Sequence, residues 1–196
     1  MHVQTLPVGY FDSNCYIVHS GTPHSVVIDP GDKPDVILAA LERLGLTLSF
    51  ILLTHAHFDH FLAAPALQKK TGAPVYVQRL DLASVTPSPP ADLRPLDDCQ
   101  SLEAPGLLFA VRHTPGHSPG SCCFVCQNAI FSGDTLFRGD VGRVDLKGGD
   151  AALMRRTLAT IAAWDGDYDV YPGHGPSTTL SEEQRHNPYL QPPHRL

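Results

Sequence analysis

SFILLTHAHFDH, residues 49–60, decides how this chain is read. Phe50 to Leu53 is apolar at every position, the pattern of a short strand buried on both faces, and three histidines and an aspartate follow within the next seven residues. At this chain's own His and Asp frequencies, a His-x-His-x-Asp-His string arises by chance about three times in a thousand such sequences, so it carries information. Residues two apart in extended backbone project to one side, so His55 and His57 can chelate one ion as the strand ends. Where the chain turns into a helix the direction of projection changes, and Asp59 with His60 can face a neighbouring position.

Two such pairs do not complete two coordination shells, and the further ligands must come from other strand ends. His117 in TPGHS, Asp134 in SGDT and His174 in YPGHG each follow an apolar stretch and sit among small residues. Asp134 has two carboxylate oxygens and can bridge ions held about 3.5–4 Å apart. In both Pro-Gly-His segments the proline is expected to fix the chain's exit, the glycine to take an unusual backbone angle, and the histidine to stand at a strand end. Asp29, closing SVVIDPG, is placed either to orient a ligand histidine or simply to form a turn. His2, His19, His24, His186 and His194 lack such neighbours and are expected in solvent, and His113 reads as a strand residue.

Around this motif the chain alternates strand and helix signals. SNCYIVHS and SVVIDPGD read as strands joined by a turn at Gly21 to Pro23. A helix starts at Pro34, repeats Ile37, Leu41 and Leu44 on one face, and stops at Gly45. After HAHFDH a second helix runs to Gly72, followed by a strand over residues 74–78. Thr86 to Pro105, with five prolines, reads as a long surface connection. LLFAVRHTPGH, SCCFVC and NAIFSGD give three strands; Ala151 to Trp164 is helical with Met154, Leu158 and Ile161 on one face. YDVYPGH is a short strand, and a last helix lies near Ser181 to Arg185. One α/β domain over residues 1–196, with helices covering two packed sheets, is the expected architecture.

Composition narrows the function. The formal net charge is −6, which disfavours nucleic acid and anionic membranes as partners. The longest unbroken apolar run, Val36 to Leu41, is far too short to span a bilayer, and Met1 to Tyr10 has no signal-peptide pattern, so a cytoplasmic location is expected. Five cysteines form no paired spacing; Cys122, Cys123 and Cys126 read as small buried apolar residues.

HAHFDH, TPGHSPGS, SGDTLF and YPGHG, in this order, resemble the metallo-β-lactamase superfamily over nearly the whole chain. The resemblance implies a four-layer αββα sandwich with its site at one edge of the two sheets. It also implies that His55, His57 and His117 hold a first metal, that Asp59, His60 and His174 hold a second, and that Asp134 bridges. GDTLFRGDVGRVDL and GHGPSTTLSEEQRHNPYL are similar to short bacterial proteins of the glyoxalase II branch, the hydroxyacylglutathione hydrolases, in the form without the C-terminal helical domain that contributes to glutathione binding.

The chemistry so implied is hydrolysis of a small-molecule thioester, S-lactoylglutathione or a relative, by hydroxide made available on two divalent ions, zinc first and iron or manganese as alternatives. Asp59 would orient that hydroxide as well as ligate. Arg143 is the expected grip for a glutathione carboxylate, against an ordinary ion pair with Asp140 or Asp145. Two other readings stand beside this one. A mononuclear iron persulfide dioxygenase on the same fold would use His55, His117 and Asp134, and it shares Gly142, Arg143 and Asp145. A non-catalytic metal-binding module is the other. A β-lactamase fits less well, because the subgroup with the full motif normally has Cys where this chain has Asp134.

Overall fold

Along strand β4 (Thr47–Leu53), Phe50 and Leu52 face one side and Ile51 and Leu53 the other, and each set meets a different apolar layer. This is why the run shows no polar alternation. The computed structural model describes residues 1–193 and 196, so His194 lies outside the described residues.

The first sheet runs in the order β1 (His2–Val8), β2 (Ser13–His19), β3 (His24–Ile28), β4, β5 (Val75–Gln78), β6 (Leu93–Leu96), antiparallel up to β3 and parallel from there to β6. The second runs β14 (Thr178–Thr179), β13 (Asp169–Pro172), β10 (Ala129–Gly133), β9 (Cys122–Cys126), β8 (Leu107–His113), β7 (Ser101–Ala104), with only β10 and β13 parallel. A small hairpin, β11 (Leu136–Phe137) and β12 (Asp140–Val141), stands apart.

The alternation of side chains sorts the core into three seams. Ile37 and Leu41 of helix α1 (Pro34–Arg43) and Leu67 of helix α3 (Ala64–Thr71) pack on Ile17, Val27 and Ile51. Between the sheets, Tyr16, Ile28 and Leu52 meet Phe109, Phe124 and Phe131. On the far side, Ile130 and Val170 meet Met154, Leu158 and Ile161 of helix α4 (Ala151–Ala162) and Leu180 of helix α5 (Leu180–His186). Helix, sheet, sheet and helix are therefore stacked as the αββα sandwich expected. The central seam is the most costly to damage: truncating a fully buried phenylalanine such as Phe124 to alanine removes about 3–5 kcal/mol. Cys122, Cys123 and Cys126 are buried and unpaired within these layers, as expected. No described helix is long and apolar enough to cross a membrane.

Several elements differ from the sequence reading. Residues 86–105 are not one long surface connection; they contain β6 and β7, and Leu96 is fully buried. Pro95 sits in β6 because that strand is an edge, where a missing N–H costs no ladder bond. The same holds for β1, the other edge, with Pro7. Leu44 caps α1 and is exposed rather than packed, and α4 ends at Ala162, two residues before Trp164. Asp150 caps α4 by accepting from the N–H groups of Ala152 and Leu153.

Candidate metal centre

Five loops leave the two sheets at the same edge and carry Asp29 (after β3), His55 and His57 (after β4), His117 (after β8), Asp134 (after β10) and His174 (after β13). Helix α2 (Phe58–Phe61), capped at His57, adds Asp59 and His60. All seven expected ligands meet there. The sheets are laced together beside them by the start of β2. Asn14 donates from its backbone to the Gly173 carbonyl at 2.7 Å and from its side chain to the Pro172 and Gly175 carbonyls at 3.1 and 2.8 Å. Nothing in the sequence around Asn14 announced this role.

Two ligand groups form around Asp134. In the first, His55, His57 and His117 present converging nitrogens, with His57 Nδ1 and His117 Nε2 2.8 Å apart. In the second, His60 Nε2 lies 3.3 Å from His174 Nε2, and Asp59 Oδ2 lies 3.6 and 3.3 Å from those two nitrogens. Asp134 reaches both groups, with Oδ2 3.4 Å from His117 Nε2 and Oδ1 3.5 Å from His60 Nε2. His55 and His57 lie beyond the end of β4, so strand alternation is not what aligns them. They meet at a ring separation of 4.7 Å, and His57 turns its Nδ1 inward.

The other four histidines each anchor Nδ1 on an oxygen and aim Nε2 inward. His60 Nδ1 donates to Asp29 Oδ2 at 3.0 Å, His117 Nδ1 to the Arg143 carbonyl at 2.8 Å, and His174 Nδ1 to the Phe11 carbonyl at 3.1 Å. His55 Nδ1 lies 3.1 Å from Thr54 Oγ1, whose hydroxyl is itself spent on Asp29 Oδ2 at 2.6 Å. These acceptors hold the Nδ1–H in place, so Nε2 is the atom that ligates, once any proton it carries has left. Asp29, which also accepts the Thr54 N–H at 2.7 Å, thus touches His60 directly and His55 through Thr54. It does more than form a turn, and it takes a left-handed φ of 49° to do so.

Electrostatics divide the cluster. Burial, reinforced by the neighbouring imidazoles, holds His55 well below the usual histidine range, and His57 is lowered in the same way. His60 is opposed by its burial, yet Asp134, Asp29 and Asp59 raise it to about 9. The hydrogen bond to Asp59 raises His174. Burial works against the Asp59 anion, but His174, His60 and the Ser13 hydroxyl outweigh it and hold the carboxyl below its usual range.

The donor set fits divalent ions on its own terms. His55 Nε2 and Asp134 Oδ1 are buried atoms without a hydrogen bond among the described residues, which is costly unless an ion takes them up. Space is reserved as well. Gly173 does not have the unusual backbone angle expected of it; instead a Cβ there would collide with Asp134 Oδ1 and stand 2.8 Å from the His60 ring. Gly116, in the other Pro-Gly-His segment, does take a positive φ of 144°.

Above the cluster lies an open cleft of about 430 Å³ walled by Phe11, Phe58, Phe137, Val141 and Leu146. Arg143 stands at its rim with an exposed guanidinium bound to Asp145 at 2.6 and 2.7 Å. Only its backbone carbonyl touches the cluster. His113 lies in β8 and bonds the Pro119 carbonyl, apart from the seven, and His2 stacks on His19 on the edge hairpin.

An αββα sandwich with an imidazole–carboxylate cluster at one sheet edge defines a class of divalent-metal proteins. The family profile described as "Metallo-beta-lactamase superfamily" matches residues 8–174, and the chain belongs to that superfamily. It is 30% identical to hydroxyacylglutathione hydrolase GloC of Haemophilus influenzae, with 97% of this chain and 98% of that protein aligned. Among solved structures it resembles TTHA1623 in a di-iron-bound form, at a TM-score of 0.87 and 40% identity over 95% of this chain and 100% of that one. It also resembles BLEG-1, a B3 metallo-beta-lactamase, at a TM-score of 0.88 and 35% identity over 96% and 99%.

Proposed function

We propose that this chain is a metal-dependent thioester hydrolase whose substrate is a hydroxyacyl thioester of glutathione. One observation carries the reading: the triads His55, His57, His117 and Asp59, His60, His174 each converge, and Asp134 reaches both, with Oδ2 near His117 and Oδ1 near His60. A mononuclear iron site on His55, His117 and Asp134 would leave four converging side chains without a task. Bound there, two divalent ions would supply hydroxide at neutral pH and stabilise charge developing on the substrate carbonyl oxygen. The iron-bound relative supports occupancy by two ions and keeps iron beside zinc and manganese as the metal.

The chain's own residues do the remaining work. Asp59 stays ionised and accepts the Ser13 hydroxyl at 3.0 Å, so it serves as a ligand and as an acceptor that orients the attacking group. The cleft is lined by no serine, threonine or cysteine among the described residues, so attack by a side-chain hydroxyl or thiol has no candidate there. A thiolate leaves without needing a strong proton donor, which suits this lining. Arg143, exposed at the rim, would take a substrate carboxylate by exchanging its partner Asp145. The name of the GloC relative supports the glutathione assignment.

The test pairs elemental analysis of the purified, reconstituted protein with turnover of S-lactoylglutathione and of glutathione persulfide. Two ions per chain and thioester hydrolysis are expected. Oxygen uptake with the persulfide by a one-iron protein, without thioester turnover, would replace this reading by the dioxygenase; bound metal without either turnover would leave a binding module.

A further inference from the structure

A second buried carboxylate stands behind the cluster, and no sequence motif points to it. Asp81 lies in a short 3-10 turn (Arg79–Ser84) and is 1% exposed. Its Oδ2 accepts the Ala56 N–H at 3.0 Å and the Ser118 hydroxyl at 2.7 Å, and its Oδ1 accepts the Gly120 N–H at 2.7 Å. Ala56 separates His55 from His57, and Ser118 follows His117. One carboxylate therefore ties together the two loops that carry the three-histidine group, and it reaches neither Asp59, His60 nor His174. The loop around His117 is tightened further by Ser121, whose Oγ accepts the Ser118 N–H at 3.0 Å. Gly120 is needed for this approach, since a Cβ there would stand 2.6 Å from the Asp81 side chain.

We propose that Asp81 is a positioning residue for the three-histidine site: it sets the spacing between the His55–His57 loop and the His117 loop, and its loss weakens that site selectively. The inference rests on the metal-centre reading above. The physical reason is the short reach of metal–nitrogen bonds, about 2.0–2.1 Å for zinc, which leaves three nitrogens on two loops little tolerance for relative drift. Burying an anion is costly. Here the cost is offset by three donors drawn from segments 25, 37 and 39 residues away, so the carboxylate reinforces a junction that the bond from the Cys122 N–H to the Thr54 carbonyl, at 2.9 Å, makes at the base of the two loops.

The experiment titrates the metal-stripped full chain with zinc against a chromophoric chelator, and with cobalt(II) followed by its d–d absorption. Wild type should take up two ions. Asp81→Asn keeps the size but sets an NH2 group against at least one N–H or O–H donor. It should bind one of the two ions about 10–100-fold more weakly, with an altered cobalt band and the other ion unchanged. His174→Ala should weaken the other ion, and the double variant should bind neither tightly. Ser118→Ala, which leaves both backbone donors on Asp81, should weaken the same ion as Asp81→Asn by about tenfold or less. Unchanged affinities and an unchanged cobalt band in folded Asp81→Asn would overturn the proposal, as would equal weakening of both ions. Should Asp81→Asn fail to fold, Ser118→Ala decides alone, and unaltered affinity in it overturns the proposal. A wild type that takes up no ion would instead overturn the metal-centre reading.

Discussion

Both ends of the cluster are built on histidines, and they behave oppositely. At the closed end, His55 and His117 are buried, and burial with mutual repulsion pushes His55 and His57 down. At the open end, the side chains of Asp59 and His174 keep 19% and 28% of their exposure, and carboxylates push His60 and His174 up. Before any ion arrives, His55 and His57 are held toward the neutral form, whereas His60 and His174 belong to an ion-paired network that holds protons. The difference shows that the carboxylates, rather than the histidines, set the character of each end.

Removing the ions tests both ends at once and carries the largest effect: exhaustive chelation should abolish thioester hydrolysis, and re-addition should restore it. Full turnover in metal-free protein would end the comparison. Next comes Asp134→Ala, which removes the group shared by the two ends. A fall in kcat of at least about 100-fold is expected, about 2.7 kcal/mol of barrier, with the circular dichroism spectrum retained. Turnover near wild type would show that the ends do not depend on a common bridge.

Asp29→Asn tests the anchor of the open end. The amide offers an NH2 where Thr54 and His60 both donate, so affinity for the open-end ion should fall about 10–100-fold, with a smaller effect on the closed end through Thr54 and His55. Competition titration reads both. The opposite shifts also predict a pH signature. His60, raised to about 9, stabilises the metal-free fold fully below its ordinary value near 6.5, and that contribution is lost as pH rises toward 9. His55 works the other way: its depression favours the fold above about 6.5 and is lost as pH falls. At pH 7 the open-end ion should release about one proton from His60, and His55 and His57 should contribute close to none on binding at the closed end, measurable by calorimetry in buffers of different ionisation enthalpy. Equal release from both ions would erase the distinction.

What the sequence made legible follows the same physics. Strand β4 and the SCCFVC strand, β9, were readable because burial on both faces leaves an unbroken apolar run. The edge strands β1 and β6 were not, because prolines at positions 7 and 95 and exposed neighbours imitate a loop. The seven candidate ligands were legible because His117, Asp134 and His174 each stand beside glycine in a loop after an apolar strand, and the other four crowd into the six residues of HAHFDH. Asp81 and Asn14 were not, since their partners are remote in sequence and an isolated Asp or Asn carries no local mark. The Arg143 carbonyl was invisible for another reason: any residue has one.

That carbonyl sharpens the comparison most finely, because position 143 serves the closed end with its backbone while its side chain stands at the rim of the cleft. Arg143→Ala keeps the bond from His117 Nδ1, so affinity for both ions and kcat should change little. The guanidinium is exposed and, among the described residues, paired with Asp145, so the fold loses little with it. If it grips a substrate carboxylate, KM for S-lactoylglutathione should rise several-fold, up to about tenfold, the pattern of lost uniform binding. Arg143→Lys should recover only part of that loss, because an ammonium cannot match a carboxylate with two parallel hydrogen bonds. A thioester of a thiol without carboxylates should show the same KM in wild type and both variants. An unchanged KM for the glutathione thioester would confine position 143 to its backbone role and weaken the glutathione assignment, while leaving the two-ended cluster and its hydrolytic chemistry untouched.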